Sequence, residues 1–289
     1  MNIRQVRKKI KSVTNVKKIT KAMQLVSAVK MKKAQQTAVE GMPYRLTLEN
    51  ILKRIVPKVN INVSKLLSLE ISKENQNELV LFISSNKGLC GAFNINLFRF
   101  FIDNVDVKNK DFICIGKKGG LLVSRLGGRV IADFSSHKPL LEVSAISKFI
   151  LDKYLSLSYR KVSIVYNQFI STLKFDSINE ILLPLVTKFT DKAKEEDKLE
   201  KEYDYLIEPS ESEILEHVLI SYFEEKIRSA IISSEAVEHS ARMIAMKNAT
   251  DNANDVIYNL TSLGNKLRQQ KITYELLDMV TAKESVESS

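Results

Sequence analysis

Two glycine-bearing segments in the middle of the chain hold the residues best suited to chemistry. The first, Gly88-Leu-Cys-Gly91, carries the thiol of Cys90, and the second is Gly116-Lys-Lys-Gly119-Gly120. A thiolate beside a helix N-terminus can act as a nucleophile, and the backbone amides of such a turn can bind phosphate. Nucleophilic catalysis and nucleotide binding are therefore the two chemistries to weigh.

Neither segment has the spacing that these chemistries require. The first lacks the GxxxxGK[ST] pattern of a P-loop, and the second lacks the GxGxxG of a dinucleotide fold. No histidine neighbours Cys90 in sequence, and Ser135-Ser136-His137 lacks the glycines of a nucleophile elbow. Both segments are more typical of tight turns between a strand and a helix. We therefore expect no catalytic residue in this chain.

The cysteines and histidines are too scattered to predict a metal site. Cys90 and Cys114 are separated by 24 positions with no CxxC pair, and the three histidines are also far apart in sequence: His137, His217 and His239. Two isolated cysteines favour a reducing compartment over a disulfide framework. We expect neither a metal nor a cofactor.

Glycine and proline, the usual helix stops, are almost missing from both ends of the chain. Neither residue type occurs from Asn2 to Glu40, and Gly264 is the single glycine or proline from Ser210 to Ser289. Seven of the nine glycines lie between Gly88 and Gly128. This distribution predicts two very long terminal helices. At 1.5 Å per residue, a C-terminal helix of roughly 70 residues spans about 100 Å. Such a helix cannot be buried in one core, so we expect it to pack against the other terminal helix.

The N-terminal helix shows two apolar stripes. The first has a spacing of three and four residues, and the second is shifted from it: Ile3, Val6, Ile10 and Val13, then Val16, Ile19, Met23 and Val26. Such a phase shift is typical of a stutter in a coiled coil. Gly41-Met-Pro43 predicts a kink, and Pro57 is expected to end the helix.

The C-terminal helix has a start signal and a late coiled-coil pattern. Pro209 precedes Ser210, and Glu213 lies three residues further on, as in a capping box. Near the end of the helix six residues fall on a/d spacing: Leu260, Leu263, Leu267, Gln270, Tyr274 and Leu277. The pattern predicts that the helix pair continues close to the C-terminus.

The middle of the chain alternates strand and helix patterns. Four apolar runs are predicted as strands: Leu79–Ser84, Asp111–Ile115, Arg129–Phe134 and Val162–Tyr166. Helices are predicted around 95–104 and 141–157, and this alternation predicts a parallel α/β sheet, to which 173–185 adds strand pairing. The acidic stretch 191–204 is predicted to be a solvated loop. The predicted domains are 1–56 (helix), 57–78 (linker), 79–208 (α/β domain) and 209–289 (helix).

The charge of the chain is unevenly distributed. The whole chain carries 44 Lys and Arg against 34 Asp and Glu, a net charge of +10. Residues 1–56 carry 14 basic and two acidic residues, whereas 211–289 carry eight basic and 13 acidic residues. Three interpretations are open: nucleic-acid binding, a transit peptide, or a basic helix that pairs with the acidic helix and faces acidic protein surfaces. The third explains both ends of the chain.

Neither a membrane span nor a signal peptide is predicted. No window approaches the run of about 18 apolar residues that a spanning helix needs. The first 20 residues carry charges throughout and lack the apolar region of a signal peptide. Residues 1–40 also lack Phe and Tyr, which disfavours binding of single-stranded nucleic acid by base stacking.

Several motifs together resemble the gamma subunits of F-type ATP synthases. Ile3-Arg-Gln-Val-Arg-Lys-Lys-Ile10, Lys18-Ile-Thr-Lys-Ala-Met23 and Lys30-Met-Lys-Lys-Ala34 are similar to the family's opening helix. Gly88-Leu-Cys-Gly91 with Asn94 resembles its central motif. Ala241–Ala253 and Asn265-Lys-Leu-Arg-Gln269, followed by Ile272-Thr273-Tyr-Glu275, resemble its C-terminal signature. The chain departs from the family at Asn86, where Asp is common, and at Ala282-Lys283, where Gly-Ala is usual.

The resemblance implies a central rotor shaft that is a non-catalytic subunit of an enzyme complex. The terminal helices would form an antiparallel coiled coil inside a ring of three alpha and three beta subunits. The middle would be a Rossmann-like α/β foot bound to the epsilon subunit and the membrane ring of c subunits. The resemblance also implies that the chain is a peripheral subunit at the cytoplasmic face of a bacterial inner membrane. It implies no nucleic-acid partner. A basic coiled-coil nucleic-acid-binding protein is the alternative, and an enzyme with a nucleotide site in the middle domain is the third hypothesis.

The resemblance also implies which residues carry the coupling. Five would be contacts to the head of the complex: Met23, Arg242, Arg268, Gln269 and Thr273. Glu275 would belong to the same surface. Lys87, Gly88 and Gly91 would shape the foot and its interface.

Overall fold

The computed structural model describes residues 2–58, 64–67, 77–135, 139–156, 158–185 and 210–287. It divides the chain into two compact units. One, here the helical unit, comprises residues 1–28 and 242–289, and the other, here the α/β unit, comprises residues 29–241. The predicted loop 191–204 and most of the predicted linker 57–78 lie outside the described residues.

Both predicted terminal helices are present. Helix α1 spans Ile3–Ile55, includes Gly41 and Pro43, and is followed by a 3-10 turn at Val56–Lys58. The C-terminal helix, α5 in chain order, spans Glu211–Glu287. The side-chain oxygen of Ser210 accepts a hydrogen bond from the backbone N–H of Glu213 at 3.4 Å, which is the predicted N-cap.

In the helical unit, α1 and α5 pack antiparallel. A Cβ added to Gly264 would lie 3.4 Å from Val6 Cγ1, and Thr20 Oγ1 lies 2.8 Å from Thr250 Oγ1. An early residue of α1 therefore contacts a late residue of α5, and a later residue of α1 contacts an earlier residue of α5, as in an antiparallel pair. The buried residues of α1 in this unit are Val6, Thr20 and Ser27.

The predicted stutter in α1 is wrong. Val16, Ile19 and Val26 are 50%, 60% and 56% exposed, so the second apolar stripe is not a packing stripe within this chain. The buried positions Val6, Thr20 and Ser27 instead fall on one seven-residue repeat. A hydrophobicity pattern misses this seam because its central members are small and polar.

The α/β unit holds a five-stranded sheet in the order β3-β2-β1-β4-β5. The strands are β1 (Glu78–Ile83), β2 (Lys110–Ile115), β3 (Arg129–Asp133), β4 (Lys161–Phe169) and β5 (Phe175–Leu183). The four predicted parallel strands are confirmed, and β5 pairs antiparallel with β4. The sheet is therefore mixed.

Helices cover both faces of this sheet. The described ones are α2 (Phe93–Asn104), α3 (Lys117–Arg125) and α4 (Val143–Leu155). Side chains alternate along a strand, so Leu79 and Leu81 of β1 join a core with α4 and the adjoining parts of α1 and α5. Val80 and Phe82 join the opposite core with α2 and α3. Only Gly116 of the predicted turn 116–120 lies outside a helix, because α3 begins at Lys117.

Candidate interaction surfaces

The loop after β1 carries the first glycine segment and is closed by its own hydrogen bonds. Asn94 Nδ2 donates to Ser85 Oγ at 2.7 Å and to Cys90 Sγ at 3.2 Å. Ser85 Oγ donates to the carbonyl of Lys87 at 2.8 Å. This loop follows the strand at which the strand order reverses, between β1 and β4. Open α/β sheets usually bind their ligands at that point, outside the carboxyl ends of the strands.

Helix α5 packs against this point of the sheet. Val237 of α5 is buried with Cys90 and Phe93, and Phe169 and Ala241 pack against the same cluster. A hydrogen bond supports this packing: the N–H of Phe169 on β4 donates to Ser233 Oγ on α5 at 2.8 Å. The usual nucleotide crevice is thus filled by the chain itself. Cys90 is only 3% exposed, so a substrate cannot reach its thiol in this conformation.

The second glycine segment holds the N-terminus of α3 against the loop after β1. The first amide groups of α3 donate to that loop: Lys117 N–H to Asn86 Oδ1 at 3.1 Å, Lys118 N–H to Ser85 O at 3.2 Å, and Gly119 N–H to Ser84 Oγ at 2.7 Å. These are the groups that would bind a phosphate. Their use inside the chain argues against a phosphate site, as does the absence of a P-loop pattern.

Asn86 has a structural role although it departs from the family pattern. Its side-chain oxygen accepts the Lys117 amide, and an aspartate carboxylate offers the same kind of acceptor. The exchange of Asp for Asn therefore preserves this bond while removing a charge.

A depression beside the end of β3 is a poor phosphate site. It has a volume of about 480 Å³, and its lining includes the carboxylates of Asp133 and Glu142 with the ammonium group of Lys117.

Over the described part of the chain, no group of three or more His, Cys, Asp or Glu could hold a metal ion. Burial, and secondarily the Asp133 carboxylate, raise the pKa of the Cys114 thiol to about 12, which keeps it protonated.

The predicted foot residues differ in what their backbone requires. Gly91 has a φ of +55°, which favours glycine, and Leu89 has a φ of +61° with its side chain 66% exposed. A Cβ added to Gly88 would meet nothing within 4 Å. Lys87 is exposed. The loop therefore presents Lys87 to Leu89 outward, and its backbone geometry favours glycine at Gly91.

The predicted contacts of the helical unit fall into two environments. Met23 is half-buried and Arg242 is 8% exposed, so little of Arg242 remains for a further subunit. Four other predicted contacts lie in the fully exposed stretch 268–283: Arg268, Gln269, Thr273 and Glu275. Within this stretch Thr273 Oγ1 donates to the Gln269 carbonyl at 3.0 Å, and Lys271 Nζ lies 3.3 Å from Glu275 Oε1.

The predicted late coiled-coil seam does not continue within this chain. Gln270, Tyr274 and Leu277 are exposed, although they follow the a/d spacing. The physical reason is the start of α1 at Ile3, close to the position where Val6 contacts Gly264. Within the described residues, the part of α5 beyond this level has no α1 residue opposite it.

Large apolar side chains are exposed on both helices of the helical unit. On α1 they include Val16, Ile19, Leu25 and Val26; on α5 they include Tyr258, Tyr274, Leu276, Leu277 and Met279. Exposed apolar residues in such number typically mark an interface with another protein. Sequence reasoning assigned Ile19 and Val26 to internal packing and so missed their exposure.

A helical pair with uncovered apolar residues, joined to an α/β unit whose ligand crevice is filled, defines a class of subunit that works by contact with other chains. A family model described as ATP synthase matches residues 2–286. The ATP synthase gamma chain of Methylacidiphilum infernorum is 36% identical over 96% of this chain and 97% of its own length. That of Akkermansia muciniphila is 34% identical over 99% of both chains. The chain belongs to the ATP synthase gamma chain family, and it is a rotor-shaft subunit of the F-type ATP synthase.

Solved structures show the same fold. A chain of the Euglena gracilis mitochondrial ATP synthase, described as OSCP/F1/c-ring in rotational state 3, matches with a TM-score of 0.68 at 19% identity. The match covers 99% of this chain and 95% of that one. A Tetrahymena thermophila mitochondrial structure, described as central stalk/cring, matches with a TM-score of 0.55 at 23% identity, over 80% of this chain and 99% of that one. The nucleic-acid alternative is not favoured.

Among the described helices, none is both long enough and apolar enough to cross a membrane.

Proposed function

We propose that this chain couples rotation of the membrane c ring to the conformational cycle of the catalytic beta subunits. The single observation that carries this proposal is the exposed apolar surface of the helical unit. Tyr274 is 67% exposed and Met279 is also 67% exposed, on a helix that no other described segment covers there. An apolar sleeve formed by alpha and beta subunits is the partner that such a surface fits.

The coupling works through differential contact. A partner can shift a conformational equilibrium only if it binds the two conformations with different free energies. A shaft whose faces differ presents different contacts to each beta subunit as it turns. The basic character of α1 supports this role, since residues 1–56 carry 14 basic residues against two acidic ones. Acidic segments of the beta subunits are the surfaces that such a helix attracts.

The residues proposed for the head contact are those on the helical unit. Four of them are proposed to contact the head directly: Arg268, Gln269, Thr273 and Glu275. The exposure of their side chains leaves them available for this contact. Met23, on α1, is half-buried, and the exposed part of its side chain is proposed to contribute to the same contact. Arg242 is buried, and we assign it the role of positioning the surrounding surface.

The α/β unit is proposed to bind the epsilon subunit and the c ring. Within the domain at 79–208, the loop of Lys87, Gly88 and Gly91 is the proposed contact. The exposed leucine at its tip, Leu89, supports this assignment. We propose that the subunit lies at the cytoplasmic face of the bacterial inner membrane as a peripheral component, and its bacterial relatives support this location.

Reconstitution tests this function. The chain is mixed with separately purified alpha and beta subunits of a bacterial relative, and the complex is assayed for stoichiometry and ATPase activity. We expect one copy of the chain per three beta subunits and increased turnover. Replacing Tyr274 and Leu277 with Ser should reduce incorporation. The matched control replaces Leu141 and Leu173 with Ser. These leucines are 78% and 83% exposed but lie in the α/β unit, so the control should not reduce incorporation. A chain that stays outside the complex would refute the proposal.

A further inference from the structure

A partly buried cluster of charges joins three elements of the α/β unit. The ammonium group of Lys226, on α5, lies 3.5 Å from Glu180 Oε1 on β5 and 3.8 Å from Glu49 Oε1 on α1. The three side chains are between 20% and 28% exposed. One cation thus bridges both long helices and the edge strand of the sheet.

Tyr222 completes the surroundings of this cation. Its ring lies below the Lys226 ammonium group, 5.5 Å from nitrogen to ring centroid, and its hydroxyl lies 3.5 Å from Glu49 Oε1. A second group of charges lies nearby on the same two helices. Arg45 Nη1 donates to Ser229 Oγ at 2.7 Å, and Arg228 Nε lies 3.4 Å from Glu225 Oε2. The bonds of Lys226 and Arg45 therefore run between elements and not only along one helix.

The covalent path out of the α/β unit makes such bonds important. The chain passes from the α/β unit to the helical unit within α1, at residues 28–29, and within α5, at residues 241–242. A torque applied to the sheet must therefore reach the segments of α1 and α5 that pack on it before it can leave this unit.

Apolar packing and ion pairs resist relative rotation differently. Burial of apolar surface is non-directional, so two smooth apolar faces keep much of their free energy when they slide. The energy of an ion pair rises as its charges separate. Directional contacts at the edge of the apolar core formed by α1, α5 and the sheet therefore add to the resistance that packing gives against relative rotation.

We propose that Lys226 is a positioning residue for torque transmission: its ion pairs with Glu49 and Glu180 fix both helices to the edge of the sheet. This inference rests on the proposed coupling function and adds to it the point at which the α/β unit grips the helices. Removing the cation would take away a charge that contacts the Glu49 and Glu180 carboxylates on two different elements.

The chain offers a closely matched control. Lys110 Nζ pairs with Glu78 Oε2 at 2.9 Å, and their side chains are 20% and 28% exposed, the same values as for Lys226 and Glu49. This control pair joins β1 to β2 inside the sheet, and neither of its residues is on a long helix. Loss of the control pair changes the charge and stability of the same unit but leaves the joint between sheet and helices intact.

The experiment measures torsional stiffness in the assembled complex. The complex is fixed by its beta subunits, a bead is attached to the α/β unit, and the angular variance of the bead is recorded in an inhibitor-paused state. Lys226→Met should raise this variance above the wild-type value, because Met keeps a side chain of similar length but cannot form an ion pair with Glu49 or Glu180. Lys110→Met should leave the variance unchanged, and Lys226→Arg should restore the wild-type value. Thermal unfolding of each isolated chain separates stiffness from stability.

The outcomes are distinct. Equal variance in Lys226→Met and wild type, or an equal rise in Lys226→Met and Lys110→Met, would overturn the inference. If Lys226→Met does not fold, Glu180→Gln, which removes the ion pair of Lys226 with β5, decides between the same outcomes. Failure of the proposed function itself has another signature, because the wild-type chain would then not assemble or would not rotate under ATP.

Discussion

The hydroxyl oxygens of Thr20 and Thr250 lie 2.8 Å apart between α1 and α5, and both threonines are buried. Thr20 Oγ1 is also 3.0 Å from the Lys17 carbonyl, and Thr250 Oγ1 is 2.8 Å from the Met246 carbonyl. Two hydroxyl protons serve these three contacts, so one threonine donates across the helix pair while the other donates to its own helix. The cross-helix bond forms only in this register of the two helices.

Replacing Thr20 with Val should therefore cost about 1 kcal/mol of unfolding free energy, since one buried hydrogen bond is lost. Thr250→Val should cost a similar amount. The double variant should cost less than the sum of the two, with a coupling energy of about 0.5 kcal/mol or more. Urea unfolding measures all four proteins. Thr261→Val is the control, because the Thr261 hydroxyl is exposed and bonds only within its helix, to the Ile257 carbonyl. Additive costs would contradict the pairing.

Gly116 is the glycine with the tightest surroundings in the α/β unit. Its φ is +102°, and an added Cβ would lie 2.2 Å from the Ser84 carbonyl oxygen. Gly116→Ala should destabilise the fold by about 3 kcal/mol or more, as expected for backbone strain combined with a steric clash. Gly120 is inside α3, where an added Cβ would meet Cys114 Cβ at an ordinary 3.8 Å. Gly120→Ala should therefore stabilise the fold by about 0.5 kcal/mol. Equal effects of the two substitutions in denaturant unfolding would refute this account of the turn.

Glu235 should make stability depend on pH. Burial, and secondarily the Glu238 carboxylate, raise the pKa of Glu235 above 4.5, while Lys30 opposes the shift. The folded state therefore holds this proton more tightly than the unfolded state, and the free energy of unfolding falls as the pH rises above about 4.5.

Glu235→Gln removes this penalty. The variant should be more stable than the wild type near neutral pH, and the difference should shrink towards pH 4.5. Thermal unfolding across this range measures it, with the exposed Glu213→Gln as the control. A stability difference that does not change with pH would show that Glu235 is not the titrating group.

Arg268 and Gln269 separate assembly from folding. Both side chains are exposed in this chain, so replacing both with Ala should change the unfolding free energy by less than about 0.5 kcal/mol. The same variant should bind the alpha and beta subunits more weakly, because we propose that these residues contact the head. The control replaces Asn96 and Arg99, which are exposed on α2 in the α/β unit. If head binding and turnover were unaffected by the Arg268 and Gln269 substitutions, the contact assignment would be wrong.

The sequence predicted the elements better than their surroundings. Both long helices and the four parallel strands follow from glycine and proline placement and from apolar runs. The seam through Thr20 and Ser27 could not be predicted from hydrophobicity, because small hydroxyl residues resemble surface residues when burial is not known. Helix α3 was missed because Gly119 and Gly120 suggest a turn. Gly119 is nevertheless helical and lies close to β1, where an added Cβ would be 2.8 Å from Phe82.

The candidate surfaces were only partly predictable. Motif resemblance indicated Arg268 and Gln269, and the structure shows that both are exposed. Motif resemblance could not show that Arg242 is buried, since burial depends on the facing helix. The bridge of Lys226 to Glu49 and Glu180 was also invisible in sequence, because its members are 177 and 46 positions apart and meet only in the folded unit.

The most direct test of rotor coupling is to watch this chain turn. A fluorescent label is placed on the α/β unit, and the chain is assembled with alpha and beta subunits that are fixed to a surface. We predict that added ATP drives unidirectional rotation of the label, and that rotation stops when ATP is removed. A label that stays at a fixed angle while the assembled complex hydrolyses ATP would contradict the account.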